Sequence, residues 1–357
     1  MSADANPHHP PVQPSTSRAP QGEPLPRVLI LGAGGFLGLN TVRACLDAGL
    51  TPRCGRRPRG NVLGLRGLGV PLAVTDFTSP ESLVEAMRDI DVVIHTAAHY
   101  PRFSHDLEGT LARGLSELEA VLDAAAAAHV RRFVYVSSTA TIAARPEGES
   151  NEDDHYRARP AHGTYHALKW TLEQRALAET RFELVIANPS ACIGPFDWKV
   201  GTSSLLVATA RGLQPPHPRG RISTVDARDV GAGLLYLATA SAPPRRLILS
   251  GDDFDAHELL VLLARRYGAP PPPAPLTADA ARALADAQED EALRTKGRAL
   301  LPRELVDLIV HAPQLDTSRS LARGLTYRPL NDTLDAWDTW ARRMGMLPAH
   351  DPTKAHA

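Results

Sequence analysis

The chain has 357 residues, 43% hydrophobic and 22% charged, and its Lys+Arg 39 against Asp+Glu 40 give a formal net charge of -1. That balance suits a globular protein of about two domains with a sizeable core, and it excludes a wholly disordered or collagen-like chain. It also offers no bulk charge to draw in nucleic acid or an anionic membrane. Cys45, Cys54 and Cys192 are too few and too scattered for a disulfide framework or a CxxC zinc site, so they read as structural thiols of a reducing compartment.

Residues 1–24 carry six prolines and almost no aliphatic side chains, which predicts a disordered tail; His8-His9 belongs to that composition. The tail lacks the basic and apolar regions of a secretory signal, and no run of about 18 apolar residues occurs anywhere, so a cytoplasmic protein without a membrane span is expected. From Arg27 the pattern changes. Arg27–Leu31 reads as a strand, a glycine cluster follows, and Phe36–Gly49 reads as a helix. Leu72–Thr75 is a second strand-like run, then Ser79–Arg88 a helix with Ser79 as N-cap and Pro80 at its first position. Asp91–His95 (strand), Leu107–His129 (helix), Arg132–Ser137 (strand) and Leu184–Ala187 (strand) continue the alternation, which predicts an α/β fold with a Rossmann-type, doubly wound parallel sheet. Beyond Ala187 the pattern predicts loops with one more core strand at Arg246–Ser250, a stiff proline linker at Ala269–Pro275, and helices at Ala278–Asp290, Arg303–Val310 and Thr333–Arg343. The expected organisation is a cofactor-binding domain at 25–190 with about 221–250, a smaller C-terminal substrate-binding lobe at 191–220 and 251–347, and a flexible tail at 348–357.

Three motifs carry chemistry. Gly32-Ala-Gly-Gly35-Phe36-Leu37-Gly38 lies between the first strand and first helix, where backbone N–H groups and a helix N-terminus approach a pyrophosphate. About twenty residues on, the acidic residue that would bind the ribose 2′-hydroxyl of NAD is replaced by Arg53-Cys-Gly-Arg56-Arg57. Guanidinium groups there favour a 2′-phosphate, so NADP(H) is preferred over NAD(H), through Arg56 or Arg57. Asp76 and Phe77 are placed beside the adenine. Tyr165-His-Ala-Leu-Lys169 puts a phenol and an ammonium on one helical face, a pairing that chance seldom produces with seven tyrosines and four lysines in the chain. A fixed Lys⁺ favours the phenolate and brings tyrosine closer to useful acid/base behaviour near neutrality. Val136-Ser137-Ser138-Thr139 supplies hydroxyls at the carboxyl end of a strand, where such sheets bind ligands.

With GAGGFLG at 32–38, HTAA at 95–98, YVSST at 135–139, YHALK at 165–169, NPSACIGP at 188–195 and VDARDV at 225–230, the chain from Arg27 to about Leu347 resembles the extended short-chain dehydrogenase/reductases of the NAD-dependent epimerase/dehydratase family. Its likeness is to the dihydroflavonol reductase and hydroxysteroid dehydrogenase relatives, including the hopanoid-associated sugar epimerases. The resemblance implies a Ser/Thr-Tyr-Lys constellation falling on Thr139, Tyr165 and Lys169, with Ser137 close by. It also implies that Thr96, Ala97 and Ala98 pass along the cofactor, that Asn188, Pro189 and Ser190 lie by the nicotinamide, and that the protein is often a homodimer. Thr139-Ala-Thr-Ile-Ala-Ala144 lacks the Tyr-Gly pair of sugar-nucleotide epimerases and the Asp-Glu pair of dehydratases. Where relatives carry a relay Asn, this chain has Gly114 or Arg113.

The resulting expectation is an NADP(H)-dependent oxidoreductase acting on a small-molecule ketone or aldehyde, or the corresponding alcohol, with Tyr165 as general acid/base. The alternative is an epimerase of a nucleotide-linked or lipid-linked sugar that retains its cofactor; a redox-sensing binding module is a third reading, disfavoured by the presence of both Tyr165 and Lys169. The pocket is expected from His99–Phe103, the acidic loop Glu147–His155 and Pro195–Lys199, mixing aromatic with charged groups. No metal site is expected, since scattered histidines such as His99, His155, His162 and His166 are more often solvated or hydrogen-bonded than ligands. Asp229 reads as a helix N-cap.

Overall fold

The computed structural model describes residues 25–97, 106–297 and 299–347, so both tails, Ala98 and His99–Phe103 lie outside the described residues. The first half alternates as the pattern requires: β1 (Val28–Leu31), α1 (Phe36–Asp47), β2 (Arg53–Arg56), β3 (Leu72–Val74), α2 (Pro80–Met87), β4 (Val92–His95), α3 (Leu107–Ala127), β5 (Arg132–Val136), α4 (Thr164–Leu177) and β6 (Glu183–Pro189). The second half contributes β7 (Ala191–Ile193), α5 (Ser204–Ala210), β8 (Arg221–Asp226), α6 (Ala227–Thr239), β9 (Arg246–Leu249), β10 (Asp253–Asp255), α7 (Ala256–Tyr267), α8 (Ala278–Thr295), α9 (Arg303–Val310), α10 (Ser318–Leu321) and α11 (Leu330–Arg343).

Seven strands form one parallel sheet in the order β3-β2-β1-β4-β5-β6-β9. Strands β1, β4 and β5 are buried along their whole length and apolar except at their ends, as a sheet covered on both faces requires. Helices α1 and α6 pack against one face through Leu39, Val42, Val230 and Leu234, and α2, α3 and α4 against the other through Leu83, Leu122, Leu168 and Leu172. The strand order reverses between β1 and β4, which opens a crevice at their carboxyl ends.

Local signals explain the helix starts. Ser79 accepts from Ser82 N–H, with Pro80 at the first position of α2, and Asp106 accepts from Gly109 N–H at 2.8 Å to start α3. Helix α3 runs unbroken through Gly114, where an added Cβ would lie 2.8 Å from Leu168 Cδ1; the glycine lets α3 and α4 approach closely. Neither candidate replaces a relay Asn, because position 114 faces the leucines of α4 and Arg113 is exposed.

After Ala187 the chain is more regular than expected. A second sheet, β10-β8-β7, packs with α5, α7 and α11 around Trp337, Leu259 and Leu263, with Phe196, Trp198 and Trp340 meeting edge-to-face. Its strands are mostly three residues long, too short to show a period, and β2 reads Arg-Cys-Gly-Arg with no apolar alternation although it is paired on both sides. The stretch 221–250 is shared, since β8 belongs to the small sheet while α6 and β9 belong to the large one. Asp226, not Asp229, caps α6: its carboxylate accepts from Arg228 N–H at 2.8 Å, while Asp229 is buried in the first turn and accepts from Arg328 N–H at 2.7 Å. No described helix is long and apolar enough to cross a membrane.

At Gly38 a methyl group would overlap the Gly32 carbonyl, so α1 sits against the glycine loop only because residue 38 has no side chain. Gly38→Ala should lower unfolding free energy by about 1–3 kcal/mol, read as a lower urea midpoint at unchanged slope.

Candidate active site

The glycine loop turns at Gly32, whose φ of 81° lies in the left-handed region, and an added Cβ there would lie 2.9 Å from Ala97 N and 3.0 Å from Thr96 Oγ1. Thr96 donates from Oγ1 to the Leu31 carbonyl at 2.8 Å, so the end of β4 is closed against the loop. Helix α1 starts at Gly35 with no side-chain cap, which leaves its first-turn amides to another partner, and Phe36 and Leu37 pack partly buried on the sheet. An uncapped helix start behind a glycine-rich loop fits a dinucleotide pyrophosphate.

The structure separates the two arginines that sequence left equivalent. Arg56 donates from Nη1 to the Pro58 carbonyl at 2.8 Å and to the Arg57 carbonyl at 3.3 Å, while Arg57 is exposed just beyond β2. Asp76 ties its own turn, accepting from Thr78 N–H at 3.0 Å and Thr78 Oγ1 at 2.7 Å, and these bonds hold its carboxyl below the ordinary value. Phe77 meets the His95 ring edge-on at 5.8 Å. His95 in turn packs against Phe133 and Tyr135, and burial depresses its imidazole to about 3.

Across the crevice, α4 lies against the carboxyl end of β5. Tyr165 is half-buried, and the Lys169 ammonium lies 5.8 Å from its ring centroid and 3.4 Å from the Val136 carbonyl. Burial lowers Lys169 to about 8, opposed by the negative charge of Glu173. Thr139 is half-buried at the start of a single 3₁₀ turn, Thr139–Thr141, capped by Ser138, which accepts from Ala140 N–H at 3.2 Å.

Glu173, which the sequence reading did not single out, organises what lies below. Its Oε2 accepts from Ser137 Oγ at 2.5 Å, Thr141 Oγ1 at 2.8 Å and Asn188 Nδ2 at 2.9 Å, and its Oε1 pairs with Arg246. Asn188 also donates to the Ser138 carbonyl at 3.1 Å, so its amide is committed beneath the turn. Ser190 accepts from Ser250 Oγ at 2.9 Å, and Pro189 ends β6 beside β9. The signal that could have found Glu173 is its spacing, four residues past Lys169 on the same helical face.

The loops expected to line the pocket are largely committed to packing. Glu152 accepts from Ile248 N–H at 3.0 Å and pairs with Arg319, Asp153 with Arg319, and Asp154 with Arg145. Asp197 caps the loop before α5, and Phe196 stacks under Arg43. His162 stacks on His311 at 3.8 Å and meets His166 at 4.7 Å. Among the described residues no group of three or more His, Cys, Asp or Glu is arranged to hold a metal. The three cysteines are buried and free, with their thiols pushed up to about 12 by burial. A cavity of about 420 Å³ bounded by Leu107, Arg159, Thr164, Ala167, Asp286 and Glu304 includes none of Thr139, Tyr165 and Lys169.

Residues 28–241 match the NAD dependent epimerase/dehydratase family. The chain belongs to that family. It is 30% identical over 252 residues to a protein from Synechocystis sp. that carries the name of a dihydroflavonol 4-reductase, covering 68% of this chain and 73% of the relative. It is 28% identical over 264 residues to the dihydroflavonol 4-reductase of Zea mays, covering 67% and 74%. A solved nucleoside-diphosphate-sugar epimerase from Pseudomonas aeruginosa superposes with a TM-score of 0.75 at 25% identity, over 90% of this chain and 99% of that one. The protein is thus a nicotinamide-dependent enzyme of the extended short-chain dehydrogenase/reductase type, and its relatives include both reductases and epimerases.

Helix α4 has no cap of its own: Gly163 precedes it, and the Glu304 carboxylate of α9 accepts from Tyr165 N–H at 2.9 Å instead. Burial raises Glu304 from 4.5 to about 7. A carboxyl raised on folding stabilises the fold below its unfolded value and loses that contribution as pH rises through the folded one. Glu304→Gln keeps an acceptor without charge, so its melting temperature should match wild type at pH 4.5 and exceed it above pH 7. Parallel melting curves across that range would contradict the assignment.

Proposed function

We propose that this enzyme is an NADP(H)-dependent oxidoreductase that reduces a ketone or aldehyde, or oxidises the alcohol, with Tyr165 as general acid/base. The observation that carries the reading is the Tyr165–Lys169 pair on α4, set against the carboxyl end of β5 beside the Thr139 turn. The bound cofactor supplies or accepts hydride. Gly32, Gly35 and Gly38 give its diphosphate access to the α1 N-terminus, Phe36 and Leu37 seat that helix, and Arg57, free of the backbone contacts that hold Arg56, takes the 2′-phosphate. Thr96, Ala97, Asp76 and Phe77 would border the cofactor, and Pro189 with Ser190 would lie toward its nicotinamide end.

The proton is handled by the chain itself. Tyr165 gives its phenolic proton to the substrate oxygen during reduction and recovers it during oxidation. Thr139 donates a hydrogen bond to that oxygen. Lys169 is protonated at neutral pH, favours the phenolate between turnovers and reaches toward the cofactor ribose. Ser137 and Asn188 act from below by fixing the turn.

A second reading, an epimerase with retained cofactor, draws on the likeness to the Pseudomonas aeruginosa epimerase. It predicts NAD⁺ found on the purified protein and no net cofactor consumption. The reductase reading predicts that Tyr165→Phe loses at least about 10²-fold in turnover while binding NADPH normally, and that Arg56→Ala/Arg57→Ala loses a preference for NADPH over NADH in a nicotinamide-fluorescence titration. A Phe variant at the wild-type rate would overturn the role of Tyr165.

A further inference from the structure

Glu173 has no exposed surface, and every bond it makes runs to a different part of the site. Ser137 lies at the end of β5, Thr141 closes the 3₁₀ turn that begins at Thr139, Asn188 lies on β6 and Arg246 on β9. Three donors converge on one oxygen, Oε2, and two of them belong to the segment that presents Thr139. Asn188 closes the circuit by also donating to the Ser138 carbonyl at 3.1 Å and meeting Thr141 Oγ1 at 3.0 Å. Lys169 lies one helical turn before Glu173 on α4.

We infer that Glu173 is a positioning residue of this site: its buried carboxylate fixes the turn that carries Thr139 and keeps a negative charge facing the Lys169 ammonium. The inference rests on the oxidoreductase reading above and adds a residue to it.

The surroundings of Lys169 explain why the charge matters. Tyr165 faces it from α4, His95 from β4 and Cys192 from β7, while Tyr135 on β5 faces Tyr165 and Glu173. His95 is held neutral by burial at about 3, Cys192 stays a thiol up to about 12, and burial also raises Tyr135. Glu173 is therefore the anion that opposes desolvation of the ammonium, and Arg246 balances its second oxygen. With a neutral residue in its place, Lys169 loses its proton at lower pH.

The test uses the full-length protein and NADPH as probe, with affinity measured by nicotinamide fluorescence across pH. Wild type should bind NADPH steadily up to about pH 8 and more weakly above it as Lys169 deprotonates, and Lys169→Met should remove that alkaline limb. Glu173→Gln should move the limb about one pH unit toward acid. A variant that leaves Arg246 buried without its anion risks misfolding. Glu173→Gln/Arg246→Gln removes both charges and is expected to show the same displaced limb with a recovered melting temperature. A limb unmoved in both variants, with NADPH still bound, overturns the positioning role and leaves the oxidoreductase reading standing. Absence of NADPH binding by wild type refutes the oxidoreductase reading itself.

Discussion

Burying a carboxylate out of contact with water costs several kcal/mol unless its oxygens are met by donors, and Glu173 meets that condition with Ser137, Thr141, Asn188 and Arg246. The donors come from separated stretches of the chain, so the requirement acts as a geometric constraint on all of them together. Helix α4 cannot shift along its axis without breaking bonds to β5, β6 and β9, and the turn bearing Thr139 cannot move without leaving a buried hydroxyl or carboxylate unpaired. Removing one partner leaves a buried charge unmet, which is the expensive direction of change. The spacing of Thr139, Tyr165 and Lys169 is therefore tied to the hydrogen-bonded Glu173 carboxylate below them.

The C-terminal half reaches the same helix from its other end. Glu304 of α9 supplies the cap that Gly163 cannot, across 139 residues of sequence, and its hydrogen bond falls on the backbone of Tyr165 itself. Farther out, Arg246 donates to the Glu152 carbonyl at 3.0 Å, and Glu152 pairs with Arg319 of α10. The acidic stretch between the Thr139 turn and α4 thus serves as a strap, holding the segment between Thr139 and Tyr165 against β9 and α10. The C-terminal half thus sets the start of the helix that carries Tyr165.

How much of this was legible depended on how local each cause is. The glycine loop and the Tyr165–Lys169 spacing are local, because a tight turn and a four-residue helical repeat leave their mark in consecutive residues. The parallel sheet was readable from buried apolar runs such as Val92–His95 for the same reason. Glu173 was not, since a glutamate inside a helix ordinarily marks a solvated face, and its partners lie 15 to 73 residues away. Arg56 and Arg57 looked equivalent until the loop after β2 turned one of them back onto its own carbonyls. Asp229 was read from sequence as the cap of α6, but Asp226 caps it, because Arg328 packs against Asp229 and takes its carboxylate. Three-residue strands such as β7 and β10 exist because neighbouring strands complete them, so no period announces them.

The account stands on net hydride transfer at the carboxyl edge of β5. The most direct measurement supplies NADPH deuterated at the transferable position together with a panel of ketones and aldehydes, then looks for deuterium on carbon in the alcohol product by mass spectrometry. The account predicts one deuterium at the former carbonyl carbon and stoichiometric NADP⁺. Deuterium in no product, with NAD⁺ released only when the protein is denatured, would contradict it.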